Sequence, residues 1–118
     1  NTQGYRLAVA GSVVAEEVNE EAHVCSPHYV FEKTYNLPSL QEVEDHILEQ
    51  GYLLNMPSAS EVEENGIEIG QMNAKLLRKI EELTLYTIQQ EKKIKLLEEE
   101  NRRIDSLAQK LEKLEEVI

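Results

Sequence analysis

The last 48 residues constrain the fold most, because residues 71–118 contain neither Pro nor Gly and repeat apolar side chains at alternating spacings of three and four. This period is typical of a coiled-coil helix. At 1.5 Å per residue the helix would be about 70 Å long, too long to bury its apolar side chains against a small domain. We therefore expect these side chains to meet other chains. The expected interface positions are Asn73, Leu76, Ile80, Leu83, Thr87, Gln90, Ile94, Leu97, Asn101, Ile104, Leu107, Leu111, Leu114 and Ile118.

Polar residues within this series predict how the chains align. Thr87 and Gln90 follow each other at a and d positions, and Asn73 and Asn101 occupy further a positions. A staggered or antiparallel alignment would set these groups against Ile and Leu and leave them unpaired, at about 1–3 kcal/mol each. A parallel, unstaggered assembly is therefore favoured. Beyond Ile104 the apolar series shifts by three residues, a stammer that overwinds the supercoil locally.

The number of chains is less tightly constrained. Ile at a with Leu at d favours two strands. Two g–e pairings, Lys93 with Glu98 and Lys110 with Glu115, resemble trimer signatures instead. Further apolar side chains lie off the narrow series and need either a third helix or the preceding domain to cover them: Leu77, Leu85, Tyr86 and Ile88. We expect a parallel homotrimer, with a dimer as the second choice.

The first part of the chain predicts a small acidic head, residues 1–70, and so an α+β fold class. Apolar residues alternate from Tyr5 to Val9 and resume after Gly11, which predicts a β-hairpin with strands within 5–18. A further short extended piece is expected at 28–33. A lone hairpin is marginal in water, so it needs other surfaces to cover it.

Two capping patterns follow in the same head. Ser39 with Glu42 begins a helix at about 40–50, which Gly51 ends. Ser58 begins a second helix at about 59–65. The loop between them, Tyr52–Met56, is interpreted as packing, with receptor binding as the alternative. The coiled-coil helix, 71–118, completes the chain.

Charge excludes several classes of partner. The net charge of −11 arises entirely in residues 1–70, which hold two cations and thirteen carboxylates, while residues 71–118 hold ten of each sign. An acidic surface repels nucleic acid and anionic lipid. No apolar run approaches the ~20 residues that a membrane span needs. We expect neither nucleic-acid binding nor membrane insertion.

One cluster has the chemistry of metal ligands, His23-x-Cys25-x-x-His28. It offers three ligands with no fourth, so it is a weak zinc candidate, and Cys25 as a small buried side chain between polar histidines is the favoured interpretation. The single cysteine excludes an intrachain disulfide. No catalytic set is apparent, and no cofactor is expected.

Several short strings resemble the C-terminal region of tail-fibre-domain proteins of Bacteroidetes and their phages. They are Tyr29-Val30-Phe31, Tyr35-Asn36-Leu37-Pro38, Pro57-Ser58-Ala59, Glu61-Val62, Asn65-Gly66-Ile67 and Met72-Asn73. The resemblance implies a homotrimeric fibre terminus, similar to the intramolecular chaperone domains of phage tail fibres and spikes, joined to an upstream fibre of the same polypeptide. It also implies an extracellular, cell-surface or virion setting.

The chain departs from the self-cleaving members of that group, whose scissile site begins with a Ser-Asp-x-Arg-x-Lys style string. No such string occurs here, and Ser12 has no Asp or Lys beside it to activate it. The expected function is therefore a non-enzymatic assembly module that sets chain register and trimerisation. The alternatives are a self-cleaving chaperone peptidase and an adhesin tip that binds a surface receptor or glycan.

Overall fold

A computed structural model describes residues 4–21 and 28–117. The ordered elements in these ranges are a 3-10 turn at Tyr29–Phe31 and three helices, α1 at Leu40–Gln50, α2 at Ala59–Asn65 and α3 at Ile69–Val117. The molecule is elongated, with principal extents of 91 × 31 × 30 Å, because α3 alone contains 49 residues.

Helix α3 begins at Ile69, two residues before the predicted start, and includes Gly70 in its first turn. The carboxylate of Glu20 lies against Gly70, in the space that a Cβ would occupy. A negative charge is favourable there, because the free N–H groups make a helix N-terminus partly positive. This contact places Glu20 beside the beginning of the long helix.

Helices α1 and α2 begin and end where the capping patterns predict. The Ser39 hydroxyl accepts from the Glu42 N–H at 3.1 Å, and the Ser39 N–H donates to the Glu42 carboxylate at 3.1 Å. Gly51 ends α1 with a left-handed φ of 82° and donates to the Ile47 carbonyl at 2.8 Å. Ser58 caps α2 by accepting from the Glu61 N–H at 3.2 Å. Local side-chain chemistry therefore determines the bounds of both helices.

The predicted α+β class is wrong, because residues 4–21 form no strand and the only regular secondary structure in the described residues is helical. The apolar side chains of the predicted hairpin are exposed, with Leu7 81% and Val14 99% accessible. A two-stranded hairpin needs a covered apolar face to be stable, and no other described segment of the chain covers these residues. The alternating pattern shows that this segment carries apolar side chains, but it does not show which other segment would pair with it as a strand.

The extended piece predicted at 28–33 is also wrong. The chain turns there instead, with the Phe31 N–H donating to the His28 carbonyl and the Glu32 N–H donating to the Tyr29 carbonyl, both at 3.1 Å. This turn opens a segment, residues 28–38, that lies against α3 and that we call the strap. Its Val30 is 2% exposed and is the one buried apolar side chain in the described residues. The small core therefore lies between the strap and α3.

Candidate oligomerisation surface

The predicted interface positions of α3 form a continuous exposed line, which we call the apolar stripe. Its nine apolar members are 46–64% exposed: Leu76, Ile80, Leu83, Ile94, Leu97, Ile104, Leu107, Leu111 and Leu114. The polar members Asn73, Thr87, Gln90 and Asn101 are exposed as well, and Ile118 lies outside the described residues. An isolated exposed Leu is unremarkable, but a line of nine along one helix is typical of an interaction surface.

The strap is held to α3 through the Tyr35 hydroxyl. This hydroxyl donates to Glu82 Oε2 at 2.9 Å and accepts from Arg78 Nε at 3.0 Å. Lys79 Nζ donates to Glu82 Oε1 at 3.0 Å. Glu82 is 3% exposed, so these partners compensate for the removal of its charge from water. The network joins one strap residue to three polar side chains that lie within little more than one turn of α3.

Aromatic contacts reinforce this network around Arg78. Its guanidinium carbon lies 5.8 Å from the Tyr29 ring centroid and 5.7 Å from that of Tyr35. The two rings are tilted by 60° with centroids 5.7 Å apart. A guanidinium at this distance from aromatic rings is attracted by their quadrupoles. Arg78 therefore anchors the strap by hydrogen bonding and by cation–π contact.

Both ends of the strap have an anchor of their own. At the first end, His28 Nδ1 lies 2.7 Å from Glu81 Oε1, and Glu81 is 5% exposed. At the other, the Tyr86 hydroxyl donates to the Pro38 carbonyl at 2.5 Å. Burial raises the pKa of the Tyr35 and Tyr86 hydroxyls above 10, and the negative charge of Glu82 acts in the same direction.

The strap and the apolar stripe occupy opposite sides of α3. At about 3.6 residues per turn, the strap-contacting positions Arg78, Glu81 and Glu82 lie about 100° or more around the helix axis from Ile80. The head thus covers the back of the same turns whose front carries Ile80 and Leu83. Nothing in the described strap competes for the stripe.

The apolar residues off the stripe separate into two pairs. Leu85 and Tyr86 are half-buried, and Tyr86 contacts the strap. Leu77 and Ile88 remain exposed, at 37% and 46%. The head therefore accounts for only part of the apolar surface beyond the stripe.

Of the three weak metal-ligand candidates, only His28 lies within the described residues. His23 and Cys25 lie outside the described residues, and His28 pairs with Glu81. Within residues 4–21 and 28–117 no three side chains of His, Cys, Asp or Glu are grouped to hold a metal ion. Neither does any helix in these ranges combine the length and the apolar content needed to cross a bilayer.

The loop between α1 and α2 is mostly a packing element. Tyr52, Leu54 and Met56 are half-buried, and the Tyr52 ring meets the His46 ring edge-on at 5.2 Å. Leu53 is 46% exposed. These contacts agree with the packing interpretation for three of its side chains.

The buried carboxylates Glu81 and Glu82 were missed by sequence reasoning, which treats charges on a helix this polar as solvent-facing. One feature of the sequence is consistent with burial of these two carboxylates. Arg78 and Lys79 precede the pair by about one turn, and the strap supplies three aromatic side chains that need a surface. The pairing of two segments 47 residues apart is not encoded in either segment alone.

Comparison with protein-family models, with curated proteins and with solved structures finds no match to the chain. The resemblance to tail-fibre termini therefore stays a prediction from the short strings that suggest it. A proposed function therefore rests on the geometry of the apolar stripe and the strap.

Proposed function

We propose that the chain is an oligomerisation module in which α3 forms a parallel coiled coil of three identical chains. The observation that carries this proposal is the apolar stripe, nine large side chains exposed along one face of a 49-residue helix. An isolated helix with this stripe in water gains only by burying it against similar helices.

The energy available from the stripe is large. Each apolar side chain of the stripe contributes about 1.5–3 kcal/mol to the free energy of assembly when it goes from fully exposed to fully buried. The nine stripe side chains are 46–64% exposed, so about half of this contribution remains to be gained on assembly, roughly 7–14 kcal/mol per chain. The cost of bringing chains together is about 4–15 kcal/mol, so the stripe supplies a driving force of the size that association requires.

Three chains are favoured over two by the residues beside the stripe. From Leu83 across Ile80 to Ile88, exposed apolar side chains span about 140° of the helix surface, at about 100° per residue. A two-stranded coil buries a narrower seam, so Leu77 and Ile88 would stay in water. A third helix covers them, since the described strap leaves both of these side chains exposed.

The role that follows is structural. The stripe would align the chains, and the head of each chain would stay outside the bundle, held there by the strap. Such a module suits the terminus of a fibrous surface or tail-fibre protein, where it would fix chain number and register for the fibre upstream. The sequence resemblance supports that setting, as it does an extracellular or virion location.

Sedimentation equilibrium of the full chain tests the proposal. We expect the mass of three chains for the wild type and of one chain for a variant with Ile80, Leu83, Ile94 and Leu97 changed to Ser. The matched control changes Lys92, Lys95, Glu99 and Arg102 to Ser, on the outer face of the same helix, and should remain a trimer. A monomeric wild type contradicts the proposal, and a dimer contradicts the stated stoichiometry.

Chain direction needs a second measurement. In a Cys25→Ser background, a spin label is placed at Lys92 in one sample and at Lys113 in another. A parallel, unstaggered bundle gives similar short distances between labels at both sites. An antiparallel arrangement gives distances that differ between the two sites, because the sites lie at different distances from the centre of the rod.

A further inference from the structure

Helix α1 exposes apolar side chains that no described contact uses. Leu40, Ile47 and Leu48 are 48%, 41% and 77% exposed. Spacings of seven and eight residues place them on one side of the helix, over about 12 Å. The adjoining side of α1 is already partly packed, since Val43 and His46 are half-buried. The helix is thus more apolar than its packing within the head requires.

A carboxylate lies within this apolar face. Glu44, one turn from both Leu40 and Leu48, is exposed between them. Asp45 and Glu49 are exposed farther round the helix. A purely apolar partner would strip water from Glu44 without replacing it, which is costly for a charge. A partner that covers this face must therefore bring a cation to Glu44.

The surrounding chain adds to this requirement. Residues 34–74 contain eight carboxylates and neither Lys nor Arg. A second copy of the same face would oppose like charges, and an anionic membrane or a nucleic acid would be repelled. Charge complementarity therefore favours a basic amphipathic segment of another protein as the occupant.

We propose that the α1 face formed by Leu40, Glu44, Ile47 and Leu48 docks a basic amphipathic helix of a partner protein. The partner's apolar side chains would contact Leu40, Ile47 and Leu48, and a Lys or Arg would pair with Glu44. Partner helices that lie on apolar helix faces use this combination of anchors and charge. This face shares no residue with the apolar stripe of α3.

The test uses the full chain and a fluorescent 18-residue peptide of Leu and Lys with one apolar face. We expect saturable binding that weakens as salt rises, because the pairing is electrostatic at its rim. A peptide of the same composition without an apolar face, and an amphipathic peptide of Leu and Glu, should bind at least about tenfold more weakly. Equal binding of the three peptides overturns the proposal.

Variants assign the binding to α1. Ile47→Ser/Leu48→Ser should weaken the Leu/Lys peptide by about tenfold or more, and the single change Leu48→Ser, at the most exposed position, covers the case in which the double variant unfolds. Glu44→Lys should reverse the preference towards the Leu/Glu peptide. The matched control, Leu96→Ser/Glu99→Gln on α3, should bind as the wild type does. Binding that is insensitive to the α1 variants assigns the peptide to the stripe of α3 and overturns the proposal.

Discussion

Glu82 illustrates how one buried charge can hold two distant segments together. Its carboxylate receives hydrogen bonds from Tyr35 and Lys79, and the Tyr35 hydroxyl also receives one from Arg78. Each partner is useful only because the others are in place, since a buried carboxylate with a missing donor is strongly unfavourable. The strap is therefore more sensitive to the loss of one polar atom than to the loss of a methyl group.

Changing Tyr35 to Phe tests that sensitivity. The variant keeps the ring and removes the hydroxyl that joins Glu82 to Arg78, so we expect the strap to loosen by about 1–3 kcal/mol. Hydrogen exchange at Glu32 and Tyr35, whose N–H groups bond within the strap, should accelerate by about five- to a hundredfold. Tyr5→Phe, at a residue 64% exposed, is the control and should change neither rate.

Alkaline pH should loosen the strap by the same route. The pKa of Tyr35 is raised in the folded protein, by burial and by Glu82, so the folded state keeps the phenol proton to a higher pH than the unfolded state does. The stabilisation is fully present below pH 10 and is lost as pH rises through the folded pKa.

Absorbance at 295 nm follows this ionisation directly. The native protein should show a phenolate fraction that appears above pH 10, and Tyr35→Phe should remove part of it. In urea the same chain should titrate near 10, the value of an unperturbed tyrosine. If the amount of phenolate that forms above pH 10 is unchanged in the Tyr35→Phe variant, the raised pKa does not belong to Tyr35.

The two adjacent polar residues of the stripe should behave differently. The Thr87 hydroxyl already donates to the Leu83 carbonyl at 2.8 Å, within its own helix, whereas Gln90 is exposed at a stripe position and its side chain makes no hydrogen bond among the described residues. Thr87→Val should leave chain direction unchanged. Gln90→Leu should raise the melting temperature but permit mixed alignments, because an apolar layer tolerates offset. Spin-label distances at Lys92 and Lys113 distinguish these outcomes, and a single parallel alignment for Gln90→Leu would refute the locking role of Gln90.

At the scale of elements, the short helices α1 and α2 depend on capping residues that can be recognised in the sequence. Ser39→Ala removes the acceptor for the Glu42 N–H and half of a reciprocal pair. We expect α1 to lose about 1 kcal/mol, with faster hydrogen exchange across Leu40–Gln50. Ser106→Ala, within α3 and away from any cap, is the control. Equal exchange in the two variants would mean that tertiary packing, and not the cap, defines where α1 begins.

These elements differ in how far sequence predicts them. Ser39, Gly51 and Ser58 act on neighbours within four residues, so the bounds of α1 and α2 follow from local chemistry. The heptad of α3 is equally local, and it identifies the stripe. The hairpin at 5–18 fails because a strand needs a partner, and alternation in one segment says nothing of where a partner lies. The strap was missed because the Tyr35–Glu82 contact joins residues 47 apart.

At the scale of the whole molecule, stability should depend on concentration. If the stripe is buried between chains, mass action links folding of α3 to assembly. The melting temperature from circular dichroism should rise steadily as the protein is made more concentrated. The variant with Ser at Ile80, Leu83, Ile94 and Leu97 should melt at one temperature throughout. If the melting temperature of the wild type is also independent of protein concentration, helix α3 is stable without assembly.

The strap also limits how many chains can associate through α3. A bare helix with apolar surface all around could be approached from every direction, and such helices stack into open arrays. Here the back of the upper turns is sealed by the chain's own aromatic residues. At these turns a neighbouring chain can approach only the uncovered side of α3. In the proposed trimer each strap would therefore face the solvent, and a closed ring of chains would leave no site at these turns for a further chain to add.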